Sequence, residues 1–176
     1  MRARQNMGLV CALGAALLAS TNAARARPAV SGCKVEAGKQ IALTRHFVFA
    51  FRVGRIENMY MPYQVRTNHL RRGEVMLRGQ MSGPELLSGG PIRHLEIQIC
   101  DRPTREVVTN ANPKIVVKDT TTGKATRLPV AVMEDISLGR ADLHYGNNIA
   151  LPTGHHFRVT ASWQQESATF AFTAPP

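Results

Sequence analysis

Alternation with a period of two dominates this chain and restricts what it can fold into. In residues 46–53, Phe47, Phe49, Phe51 and Val53 fall on one side and polar or small residues on the other, the signature of a half-buried strand. Residues 93–100 place Leu95, Ile97 and Ile99 inward and His94, Glu96 and Gln98 on the opposite face. Phe157, Val159, Ala161 and Trp163 share a face, as do Ala168, Phe170 and Phe172. In residues 74–78, Val75 and Leu77 point inward and Met76 away from them. Residues 114–118 form a β-branched run, 119–124 a turn, and 127–132 a return strand weakened by Pro129. Residues 142–148 read as a loop turning at Gly146-Asn147-Asn148 into a short strand, 149–151. Helical periodicity is absent beyond a single turn at 84–87. Seven to eight strands at regular spacing imply an all-β fold, an immunoglobulin-like antiparallel β-sandwich, with a small closed barrel as the competing architecture.

The first 26 residues break this pattern and read as a signal peptide. Arg2 and Arg4 precede an apolar run from Met7 to Ala19, and Ala24-Arg25-Ala26 resembles an A-x-A cleavage site. Cleavage after Ala26 or after Ala23 fits. Residues 27–39 then form a linker, and 40–176 a single β-sandwich domain. The apolar run falls short of the roughly 18 residues a membrane span needs, so no span is expected after cleavage. The expected location is therefore outside the cytoplasm, in the periplasm or the extracellular space. Loss of Arg2, Arg4 and Arg25 leaves 19 basic against 12 acidic residues, a net +7, spread along the chain instead of clustered in it. An exported chain meets little nucleic acid. This charge therefore implies solubility or attraction to an anionic envelope surface. Cys11 departs with the leader, leaving Cys33 and Cys100. In an oxidising compartment they can form a disulfide, although spacing alone leaves two free thiols equally open.

Catalytic signatures are missing: no G-x-S-x-G elbow, Walker loop, H-E-x-x-H or dinucleotide fingerprint occurs, so no enzyme is expected. The chemistry-bearing residues are instead histidines, a carboxylate and methionines. His94 and Glu96 share a strand face about 6–7 Å apart, where they can hold a metal or simply face solvent. If strands 74–78 and 93–100 pair, Met76 lies beside them. Thioether with imidazole suits copper, whereas methionines that only fill core gaps are the ordinary alternative, above all for Met81 and Met133. His144 stands in the second cluster, ahead of Tyr145-Gly146-Asn147-Asn148. His155 and His156 read as a polar rim, and His46 and His69 have no partner pattern.

His94-Leu95-Glu96 on a strand, a hairpin over 114–132, Met133, and then His144-Tyr145-Gly146-Asn147-Asn148 form an order that resembles the periplasmic iron-transport accessory proteins. Those are immunoglobulin-like dimeric domains that bind copper and are linked to ferrous iron uptake. The resemblance covers residues 93–151, and H-Y-G-N-N is its most specific part. It implies His94, Glu96, His144 and Met133 as ligands of a copper or iron ion, with a membrane transporter or a second copy of the chain as partner. Two functions follow as expectations: an exported metal-binding protein assisting metal uptake or homeostasis, or an envelope interaction domain that binds another protein without metal.

Overall fold

A computed structural model describes Cys33 and residues 38–176. The expected leader at 1–26, its cleavage site and most of the linker lie outside the described residues. The elements are β1 (Gln40–Leu43), β2 (Phe47–Arg55), β3 (Met59–Tyr60), α1 (Pro62–Thr67), β4 (Glu74–Gly79), β5 (Ile92–Asp101), β6 (Lys114–Asp119), β7 (Ala125–Leu128), β8 (Ala131–Asp135), β9 (His144–Ala150), β10 (His156–Trp163) and β11 (Glu166–Thr173). A large sheet runs β1-β2-β5-β9-β8-β4-β3, and a small sheet runs β11-β10-β6-β7. Every pairing is antiparallel except the two-residue β3–β4 contact.

The expected sandwich forms, with eleven strands among the described residues instead of seven or eight. Phe47, Phe49 and Phe51 of β2, Leu95, Ile97 and Ile99 of β5, and Phe157, Val159, Ala161, Ala168 and Phe170 of the small sheet meet in one core. Phe51 stacks on Phe170 with ring centroids 5.1 Å apart, and Phe157 stacks on Phe172 at 5.5 Å. The expected return strand over 127–132 is two strands. Pro129 cannot donate to a ladder, so the chain leaves the small sheet as β7 and joins the large one as β8.

Three local readings are corrected. Residues 144–148 belong to strand β9 and do not form a loop. Leu77 is exposed because a bulge between Met76 and Arg78 inserts an extra residue and breaks the alternation of β4. Helix is not confined to residues 84–87, because a six-residue helix, α1, follows Met61, with the Gln64 side chain accepting the Met61 N–H at 2.7 Å.

The second face of the large sheet is covered as well. Cys33 and Cys100 form a disulfide, with Cα atoms 6.1 Å apart, and lie buried against Val48 and Ala50. Gln98 is their polar neighbour. Its Oε1 accepts the Cys33 N–H at 2.8 Å, and its Nε2 donates to the Ala141 and Leu143 carbonyls. One amide thus ties the N-terminal segment and the β8–β9 connection to β5. The face bearing His94, Glu96 and Gln98 is therefore buried, and the solvated strand face is overturned.

Candidate metal centre

Strand order brings the chemistry together. β5 and β9 are neighbours, with His94 opposite Asn148 and Glu96 opposite Gly146. On the other side of β9, Met133 of β8 lies opposite His144, and Met76 of β4 lies opposite Met133. Period-two geometry puts His94, Glu96, His144, Met133, Met76 and Glu74 on one face of the large sheet.

The His94 and His144 rings meet edge to face, with their Nε2 atoms 3.3 Å apart and both side chains buried. Each ring is pinned at its other nitrogen. His94 Nδ1 lies 2.9 Å from Asn148 Oδ1. The Asn148 amide cannot turn round, since its Nδ2 donates to the Glu57 carbonyl at 3.0 Å while its Oδ1 also accepts the Glu57 N–H. His94 Nδ1 must therefore carry a proton. His144 Nδ1 faces the Asp142 carbonyl at 2.7 Å, with the Asp142 carboxylate 3.6 Å away, and must carry one too. In their neutral forms both rings direct a lone pair at the same point. Such an arrangement demands a cation between them, either a proton or a metal.

Titration behaviour follows from these neighbours. Burial, then the charge on His144, pushes His94 down to about 4. Burial also disfavours a charge on His144, but Asp142 beside it, with the Glu96 and Glu74 carboxylates, outweighs that and raises the ring to about 9. The shared proton thus resides on His144. Burial raises Glu74 to about 7 against the pull of His144. Its Oε2 lies 3.8 Å from His144 Nε2 and has no hydrogen-bond partner. A buried oxygen without a partner is costly, and a cation in the slot would satisfy it.

The residues expected as ligands fare differently. His94 and His144 are brought together. Glu96 is close by, but its carboxylate is held by Arg52, whose Nη2 and Nε donate at 2.6 to 3.0 Å. Met133 is buried opposite His144, packed with Met76, Ala131 and the partly buried Met59. Met76 does not lie beside His94 and Glu96, because β4 pairs with β8 and two strands separate it from β5. His155 bonds Asp119 at 2.8 Å and His46 reaches Glu166, both away from this face.

Sequence reading missed Glu74 and Asp142. Glu74, Asp142 and His144 each bring a ligand atom within 4.8 Å of the others. Asp142 stands on the Nδ1 side of His144 and Glu74 on the Nε2 side, so one ion facing the Nε2 pair takes Glu74, while Asp142 orients the ring from behind. Glu74 had a signal, since alternation in β4 puts it on the face of Met76.

Comparison with known proteins adds little to this geometry. No family model and no curated protein matches the chain. Among solved structures it is similar to the crystal structure of a DUF4426 family protein from Pseudomonas aeruginosa PAO1, at 14% identity and a TM-score of 0.43, over 79% of this chain and 97% of that one.

Proposed function

We propose that this protein binds one copper or ferrous ion between β5 and β9, with His94 Nε2, His144 Nε2 and Glu74 as ligands and Met133 as an adjacent thioether. The observation that carries this reading is the pair of Nε2 atoms 3.3 Å apart, each on a ring whose Nδ1 is already committed as a donor. Two nitrogens bound tetrahedrally at 2.0–2.1 Å are themselves separated by about 3.3 Å. Imidazole and carboxylate suit borderline divalent ions, and a thioether adds affinity for Cu(I). Acidic residues also gather here in a basic chain: Glu57, Glu74, Glu96, Asp135 and Asp142 lie close enough to interact electrostatically with the site. Their field concentrates cations. With an exported chain and a disulfide, the setting is the cell envelope, and the role is assistance in metal uptake or homeostasis.

Metal analysis of purified protein after anaerobic loading with Fe(II), or loading with copper, tests this. Wild type retains a stoichiometric ion through dialysis. His94→Ala and His144→Ala lose it, Glu74→Gln weakens it, and Glu96→Gln keeps it because that carboxylate belongs to Arg52. Asn148→Ala, which frees the His94 ring, lowers affinity by about 10- to 100-fold. Equal ion content in wild type and both histidine variants would eliminate the site and leave an envelope interaction domain.

A further inference from the structure

The outer face of the small sheet is a separate surface, and it is basic. Period-two geometry turns Lys114, Val116 and Lys118 of β6, Ala125 and Arg127 of β7, His156, Arg158, Thr160 and Ser162 of β10, and Ser167, Thr169, Ala171 and Thr173 of β11 to this side. The inward set is Ile115, Val117, Leu128, Val159, Ala161, Ala168 and Phe170. Lys114, Lys118, Arg127 and Arg158 are exposed. The strands contribute no Asp or Glu to this face. Among the described residues none of these four cations takes part in an ion pair.

Their placement is unfavourable for the isolated fold. Lys118 and Arg158 sit directly opposite each other across β6 and β10, and Arg127 lies opposite Val116, one step along the ladder. Like charges directly opposed across a ladder repel, and sheets usually interleave opposite signs. Charges scattered through the sequence, at positions 114, 118, 127 and 158, are thus gathered by the fold onto one plane.

We propose that this face docks the protein on an anionic bilayer surface. Apart from Val116 and His156, whose ring bonds Thr173, the remaining side chains are short (Ala125, Ala171, Ser162, Ser167, with Thr160 hydrogen-bonded to Thr169), so the long cations stand above a nearly flat bed. Exposed Phe, Tyr, Trp or large aliphatic anchors are missing from it. The core of a protein–protein interface needs such anchors and is depleted in lysine. A planar array of point charges instead matches anionic headgroups, each cation near such a surface strengthening binding about fivefold. The candidate metal centre lies on the far face of the other sheet, so docking leaves it clear of the bilayer. The proposal does not depend on that centre.

Co-sedimentation of the purified protein with vesicles tests it, comparing phosphatidylcholine containing about one third phosphatidylglycerol with phosphatidylcholine alone. Wild type binds the anionic vesicles only, and binding fades as salt rises and the Debye length shrinks. Replacing Lys114, Lys118, Arg127 and Arg158 together by Ser weakens it by about 100-fold or more at four cations. Replacing the exposed Arg66, Arg71 and Arg72 by Ser, a control for net charge, leaves most of it. A thermal melt close to wild type shows that the variants are folded. The docking face is overturned if the fourfold variant binds as wild type does, or if the control loses as much. Failure of wild type to bind vesicles also overturns it, and retention on polyglutamate lost in the fourfold variant would then point to an acidic protein partner.

Discussion

Two imidazoles that cannot both be neutral without a cation between them define this molecule at the scale of single residues. The consequence for stability has a sign. His94, held down at about 4, lacks a proton that the unfolded chain carries, so its contribution grows as pH rises from about 4 to 6.5. Glu74, raised to about 7, and His144, raised to about 9, act oppositely. Each keeps a proton that the unfolded chain has released, and that contribution is lost as pH rises through the folded value. Metal-free protein should therefore melt at progressively lower temperature from pH 6.5 to 9. Bound metal replaces the proton and should flatten the fall, as should His144→Gln. Thermal melts across this range check it, and an undiminished fall in His144→Gln would show that the titration lies elsewhere. His94 and His144 were legible in the sequence as residue types in a suggestive pattern. Alternation placed Glu74 only on the face of Met76, since nothing local to residues 74–78 signals that a histidine seventy residues later will lie 3.8 Å from its carboxylate.

At the scale of elements, the segment His144-Tyr145-Gly146-Asn147-Asn148 was the hardest to read. Its Gly and Asn content suggests a turn, yet it is a buried strand in which none of the five residues has a positive φ. The glycine serves a different purpose. A Cβ at residue 146 would come 1.7 Å from the Leu95 carbonyl oxygen, so β9 can approach β5 this closely only without a side chain there. The asparagines supply the hydrogen bonds that a buried polar strand needs. Asn147 Nδ2 donates to the Gln80 and Pro129 carbonyls, and Asn148 pins His94. Gly146→Ala should force the two strands apart, cost about 3 kcal/mol and separate the histidine rings. Denaturant titration together with ion content measures both effects. A variant within about 0.5 kcal/mol of wild type that still holds its ion would refute the close-approach argument.

For the whole molecule, the disulfide fastens Cys33 over Val48 and Ala50 on the second face of the large sheet. Cys33 and Cys100 are 67 residues apart in sequence, and closing that loop restricts the unfolded chain by about 4 kcal/mol. Replacing both by Ser should lower the denaturation midpoint accordingly, and a reductant should do the same to wild type but not to the variant. A midpoint insensitive to both would remove the bridge from the stability of the fold. Spacing left the pairing open because proximity is a property of the fold.

The sequence by itself determined the alternating strands β2, β5, β10 and β11 and their inward faces, because alternation is a property of local backbone geometry and needs no partner. It also supplied the two cysteines and the two histidines as chemical types. Only the tertiary structure decided which strands are neighbours. Ladder pairing is non-local, so the order β5-β9-β8-β4 could not be read from the spacing of any one segment. That order sets Glu74 against His144 on a buried polar face, the β2–β5 pairing assigns Glu96 to Arg52, and the order of the small sheet collects scattered cations on the opposite side of the sandwich.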